Sequence, residues 1–217
     1  MSGALQAVYQ NQRGFAPPIP ADIGAAYGGG YFAGQLNLNG VVYNLVVSDR
    51  SVGLAINKRW GVVGVDTGYV SYDNGAPSSA ALAALGSSYE AAVFCENLNT
   101  GGFTDWYYPS KNEMGIIYYF LKPSTGANNT STGANANAVS PQPISTNYTS
   151  GNPAQTTATA FRTGGAQTIT GENGFVWTTT EVDANNALST NFGNGNNNNT
   201  RKDNAANDVR AIRKVLA

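Results

Sequence analysis

Histidine is absent from all 217 residues, which removes the commonest general base and the commonest nitrogen ligand for a metal. Cysteine occurs once, at Cys95, so no intrachain disulfide can form. No window approaches the ~18–20 consecutive apolar residues that cross a bilayer, and the opening MSGALQAVYQ lacks the basic and apolar regions of a signal peptide. The expectation is a protein folded in a cytoplasm, without membrane insertion. Charge is scarce as well: 12% of residues, with a net charge of −1, against a usual level of roughly 25%. That balance leaves no electrostatic footprint for nucleic acid. Heptads are missing, so no coiled coil is implied.

What is present starts with one well-signalled stretch, DWYYPSKNEMGIIYYFL, from Asp105 to Leu121. Pro109 fixes its own φ and pushes Tyr108 toward extended backbone. Ser110 and Glu113 then form an S-x-x-E capping box, which predicts a helix from about Ser110. Met114, Ile117, Tyr118 and Leu121 follow as one apolar stripe. Lys122 lies in the last turn and Pro123 stops the helix. The same spacing recurs upstream, with a box of Ser87 and Glu90, a stripe of Ala91, Phe94, Cys95 and Leu98, and a stop at Gly101 and Gly102. On that stripe Cys95 is a small core residue rather than a nucleophile. These two short amphipathic helices are the only ones the sequence predicts. Trp106 and Tyr107, in the turn between them, are assigned to the core.

Residues 1–30 carry no clean periodicity, and APPIP at 16–20 enforces an extended passage. Gly28, Gly29 and Gly30 form a flexible joint, so the segment reads either as a disordered tail or as an anchoring arm that becomes ordered on a partner. Tyr31 to Asp49 is the strongest β signal, with Asn39-Gly40 as a two-residue type I′ hairpin turn. Short strand-like pieces follow around Leu54–Trp60 and Gly61–Val65, and Tyr69–Pro77 has loop chemistry. Ser124–Ala160 is a long polar loop whose composition cannot fill a core, and a loop of that length is usually functional or disordered. Phe175–Thr180 and Ser189–Phe192 read as strands. A final strand spans Val209–Leu216, its basic residues facing out or onto the arm. Residues 185–207 hold ten asparagines among twenty-three. Asparagine suits a solvated loop, and equally a surface of paired amide donors and acceptors for polar ligands such as glycans.

Three motifs in this order resemble one family. GFTDWYYPSKNEMGIIYYFLKP resembles the G-x-x-DW-x-x-PS-x-x-E block of the Legionella collagen-like protein C-terminal domains. NPAQT with its following Phe161 resembles their next block, and FVWTTTE with VRAIRKV resembles their YWSSTE and VRAVRRV endings. The resemblance spans roughly Gly29 to Val215. It implies an α+β, C-type-lectin-like fold, similar also to formylglycine-generating enzymes, with two short helices, small antiparallel sheets and long polar loops over residues 31–217. Such domains are frequent in tailed bacteriophages, and MSGALQAVYQNQRGF resembles the N-terminal peptide of phage fibre and appendage proteins. The implied protein belongs to the virion, assembled in the host cytoplasm. The sugar-binding calcium tripeptides of C-type lectins and the reactive cysteine pair of the oxidases are both missing, so no metal, cofactor or oxidase activity is carried over.

The leading expectation is therefore a virion appendage. Leu5, Val8, Tyr9, Arg13 and Phe15 in the arm would contact other virion proteins, and the lectin-like head would recognise a host-surface glycan or protein. Trp60, Tyr72, Trp177, Asn194, Asn196, Asn197, Asn198 and Asn199 are the candidate ligand residues. A homotrimer is implied only by analogy with other fibre proteins. Two alternatives stand beside it. One is a purely structural decoration, collar or baseplate protein. The other is a polysaccharide-degrading enzyme, which would need two facing carboxylates from Asp105, Glu113, Glu172, Glu181 and Asp183.

Overall fold

A computed structural model describes residues 20–171 and 174–217. The fold is mixed α+β. Its first sheet has the order β1-β2-β3-β9, from β1 (Ala26–Tyr27), β2 (Gly30–Leu38), β3 (Val41–Val47) and β9 (Ile212–Leu216). The second has the order β4-β8-β5-β6-β7, from β4 (Leu54–Lys58), β5 (Phe175–Glu181), β6 (Asn186–Asn191), β7 (Asn197–Arg201) and β8 (Asn207–Arg210). Among the described residues all strand pairings are antiparallel except β5 with β8. Four α-helices among those residues accompany the sheets: α1 (Arg50–Gly53), α2 (Gly75–Ala84), α3 (Glu90–Glu96) and α4 (Lys111–Leu121).

The β2–β3 hairpin forms where Asn39-Gly40 predicts it, with both residues at positive φ (53° and 88°). Away from the turn, β3 is buried on both faces from Asn44 to Val47. Leu45 and Val47 join one apolar cluster and Val46 the other, as the two-residue period of a strand dictates. This is why VVYNLVV is a nearly continuous apolar run rather than an alternating one.

The glycine triplet is a turn, not a joint. Gly28 and Gly29, at φ 55° and 82°, reverse the backbone so that β1 pairs with the start of β2. Gly24 N–H donates to the Phe32 carbonyl at 2.8 Å, and Tyr27 is buried. The folded body therefore includes the region around residues 24–30, upstream of the expected boundary at residue 31. The anchoring candidates Leu5, Val8, Tyr9, Arg13 and Phe15 lie outside the described residues.

The capping box at α4 is present: Ser110 N–H donates to Glu113 Oε2 at 2.8 Å, and Glu113 N–H reaches Ser110 Oγ at 3.5 Å. The predicted stripe is buried, but so are Ile116 and Tyr119. The extra burial comes from the long loop. Ala138, Ile144 and Tyr148 enter the same cluster as α4, and the 137–140 segment exchanges backbone hydrogen bonds with Gln35 and Asn37 of β2. A segment expected to be too polar for the core thus wraps the helix and covers a strand edge.

The second capping box is not formed. Glu90 Oε2 instead accepts from Arg59 N–H at 3.1 Å; α3 starts at Glu90 and ends at Glu96, well before Gly101. Cys95 is fully buried and its thiol is pushed up by burial, as expected of a core residue. Helix α2 has no counterpart in the sequence reading, because its Ala- and Ser-rich segment has no apolar stripe to betray it. Its first residue, Gly75, abuts the aromatic turn so closely that a Cβ would sit 2.5 Å from both Ser110 N and the Tyr108 carbonyl oxygen.

The expected final strand divides at Ala211, β8 entering one sheet and β9 the other. Its arginines turn inward. Arg210 is fully buried, donating to the Ser48 carbonyl and to Gln167. Arg213 grips Asp105 with two bonds of 2.8 Å, donates to the Gly28 carbonyl and lies 3.6 Å from the Phe103 ring centre. Gly61–Val65 is loop rather than strand, with Gly61 and Gly64 bonded to Lys202 and Ala184.

Candidate ligand-binding cleft

The loop before α2 hangs from the end of β5. Thr180 Oγ1 donates to the Ser71 carbonyl at 2.8 Å, and Glu181 N–H to that of Tyr69 at 2.9 Å. Ser71 Oγ accepts the Asn74 N–H in turn. This leaves Tyr72 outward, 53% exposed, with the Lys111 ammonium 5.4 Å from its ring centre. Burial pulls the Lys111 ammonium below its usual range. Asn112 clamps the loop to α4: its N–H donates to the Tyr72 carbonyl at 2.8 Å and its side-chain amide to Asp73 Oδ1 at 2.5 Å.

Residues beside Tyr72 line two polar depressions: its chain neighbours Ser71 and Asp73 line one, and Lys111, which faces its ring, lines the other. One, of about 240 Å³, is lined by Asn37, Asn39, Ser71, Asp73, Asn74 and Asn137; the hairpin turn brings Asn37 and Asn39 to it. The other is a notch of about 10 Å³, room for one water-sized group, lined among others by Lys111, Asn112, Thr132, Asn135 and Asn197. They meet at the Asn112–Asp73 bond. In the notch, Asn197 donates to Thr132 Oγ1 at 2.9 Å and accepts from Thr190 Oγ1 at 3.1 Å, while Asn135 donates to the Asn112 carbonyl at 2.9 Å. A wider depression of about 380 Å³ lies over Phe175, Thr200, Asn204 and Asn207, but no exposed aromatic among the described residues borders it.

Of the residues the sequence singles out, the fold brings Tyr72 and Asn197 to one surface. Trp60 and Trp177 are corrected to core: both are fully buried, with their indole N–H groups donating to the carbonyls of Thr178 (2.8 Å) and Lys58 (2.7 Å). A ligand cannot reach either ring. Trp106 and Tyr107 are buried as expected. Asn194, Asn196, Asn198 and Asn199 belong to the β6–β7 turn and to β7, not to a free loop. Asn194 Oδ1 accepts from Asn196 N–H at 3.0 Å, and the Asn196 amide donates to Asn198 at 2.7 Å. Asparagine is a poor strand former, and β7 is held by cross-strand pairs such as Ser189 with Thr200.

The lining residues Asn37, Asp73, Asn112, Asn135 and Asn137 escape sequence reasoning. They come from four separate segments, and the only local signal is the Asn39-Gly40 turn beside the first of them. The candidate acids are engaged elsewhere. Asp105 pairs with Arg213, Glu113 with Lys214, and Glu181 with Lys202; Asp183 accepts the N–H groups of Asn185 and Asn186. Glu172 lies outside the described residues. No helix among the described residues is long and apolar enough to cross a membrane. No protein-family model matches this sequence, and no curated protein matches it either.

Proposed function

We propose that this protein is a phage virion appendage whose C-type-lectin-like head recognises a glycan of the host surface through the cleft around Tyr72. One observation carries the reading: Tyr72 exposes its phenol ring, and its chain neighbours Ser71 and Asp73 line a polar depression together with the amides of Asn37, Asn39, Asn74 and Asn137. An aromatic face stacks on the apolar face of a sugar ring, and amides offer donor and acceptor together to neighbouring hydroxyls. Asp73 supplies an acceptor that the Asn112 amide holds in place. The near-neutral composition fits an uncharged ligand. The motif order and spacing support the lectin-like assignment, and the residues upstream of the folded body are the candidates for docking on the virion.

A cleft of about 240 Å³ is smaller than the ~300–1,000 Å³ of high-affinity small-molecule sites. Recognition by one head is weak, and several copies on one particle raise it by avidity. The full-length protein should be retained by host cells or by immobilised envelope glycans, and Tyr72→Ala should abolish retention without lowering Tm. Retention undiminished by Tyr72→Ala refutes the cleft. Absence of retention on every cell and glycan tested refutes receptor recognition.

A further inference from the structure

Beneath the cleft, where α2 begins, Lys214, Asn74 and Glu113 form one cluster. Lys214 Nζ lies 2.5 Å from Asn74 Oδ1 and 3.2 Å from Glu113 Oε1. Asn74 Cγ is one C=O bond, about 1.2 Å, from Oδ1, so Nζ is at most about 3.7 Å from that carbon. Reacting atoms poised for attack stand about 3–3.5 Å apart. Glu113 is fully buried and its carboxylate is fixed by the Ser110 N–H (2.8 Å), the Gly75 N–H (3.0 Å) and the Tyr107 hydroxyl (2.7 Å). The Lys214 side chain is only 11% exposed. Its ammonium faces the rings of Tyr107 at 4.7 Å and Tyr43 at 6.0 Å. An amine in contact with both a primary amide and a buried carboxylate, behind aromatic walls, supplies the parts of a self-acylating site.

We infer that Lys214 and Asn74 join in an intramolecular isopeptide bond, with Glu113 as the catalytic proton carrier. Glu113 takes one proton from the Lys214 ammonium, and the freed amine adds to Asn74 Cγ. The Cγ–Nδ2 bond of Asn74 then breaks. Nδ2 leaves with the second proton shed by Nζ, and with the proton that Glu113 returns. The net change converts a lysine ammonium and a primary amide into a secondary amide and an ammonium ion, with the Glu113 carboxylate regenerated. No oxidant or cofactor is needed. The competing attack on the same carbon by the Gly75 nitrogen, which would close a succinimide ring, is opposed because that N–H is bonded to Glu113 Oε2 and opens α2. The bond ties β9 to the head of α2, residues 140 positions apart.

Intact-mass measurement and peptide mapping of the full-length wild-type protein test this directly. The expected mass is one ammonia below that of the sequence, with a protease fragment that joins the Asn74 and Lys214 segments. Lys214→Arg and Asn74→Ala should both return to full sequence mass. A wild-type protein of full mass overturns the proposal, as does an ammonia loss that persists in Lys214→Arg. A folded Glu113→Gln variant, checked by circular dichroism, should stay unlinked; linkage in it removes Glu113 from the reaction.

Discussion

Replacing Lys202 with Met should be among the most destabilising single changes in this protein. Lys202 and Glu181 form an ion pair with side-chain exposures of 0% and 1%. The ammonium also donates to the Val65 carbonyl at 2.7 Å and to that of Ala184 at 3.1 Å, and it lies 4.9 Å from the Trp60 ring centre. Glu181 collects the N–H groups of Thr67 (3.0 Å) and Gly68 (2.7 Å) as well, so the pair pins the 65–68 loop onto β5. Met fills nearly the same space and leaves little cavity. The cost comes from the carboxylate left buried without its cation, about 3–5 kcal/mol. At about 2–4 °C per kcal/mol for a protein of this size, Tm should fall by roughly 6–20 °C.

The pH dependence gives a second reading of the same change. Burial alone would raise the Glu181 carboxyl, but the bonds from Lys202 and Thr67 outweigh it and hold the carboxyl below its ordinary range. In the wild type its stabilisation is full above the unfolded value of about 4.3 and is lost as pH falls through the lower folded value. In Lys202→Met the burial effect meets less opposition, so the carboxyl protonates more readily and the Tm gap to wild type should narrow from about pH 7 to pH 4. Lys202→Met with Glu181→Gln removes the stranded charge. It should be less destabilised than the sum of the single changes, by about 0.5–3 kcal/mol. Calorimetry on the four proteins measures all three effects. A Tm drop below about 2 °C in Lys202→Met, or a gap that widens in acid, would show that no uncompensated Glu181 charge is left buried.

Ile144→Ala should cost about 2–5 kcal/mol by chemical denaturation, because Ile144 is a buried member of the α4 cluster; a change under about 0.5 kcal/mol would show that the long loop does not complete the core. Gly75→Ala should lower Tm clearly, since its Cβ meets backbone rather than a side chain that can move; an unchanged Tm would mean that α2 shifts freely against the aromatic turn. Arg213→Lys keeps the charge but loses the two-pronged grip on Asp105. Hydrogen exchange should then quicken at Gly28–Tyr31 and in β9, and unchanged exchange there would deny that Arg213 joins them. Tyr72→Ala should leave stability within about 0.5 kcal/mol of wild type, so that any loss of ligand retention reports on the cleft alone.

Features whose partners lie within a few residues are legible in the linear sequence: the Ser110–Glu113 box, the Asn39-Gly40 turn, the Val41–Val47 strand and the burial of Cys95. Each is decided by backbone preference and by a side chain reaching three or four positions away. Where a distant group competes, the local signal fails. Glu90 has the spacing of a cap, yet Arg59 N–H claims its carboxylate from 31 positions away. Gly28–Gly30 has the composition of a hinge, yet β2 turns it into a paired reversal. The polar loop of residues 124–160 cannot fill a core by its average composition, but three of its side chains suffice once α4 offers an uncovered face.

The amino-acid order therefore determined the mixed α+β character, the α4 cap, the first hairpin and the scarcity of charge. Tertiary structure alone decided that Trp60 and Trp177 are core while Tyr72 is surface, since solvent exposure depends on what packs over a ring and not on its neighbours in sequence. It also decided the company of Lys214, whose polar partners among the described residues include Asn74 and Glu113, 140 and 101 positions away. No local pattern encodes such a meeting, because it exists only after both sheets have closed around the helix.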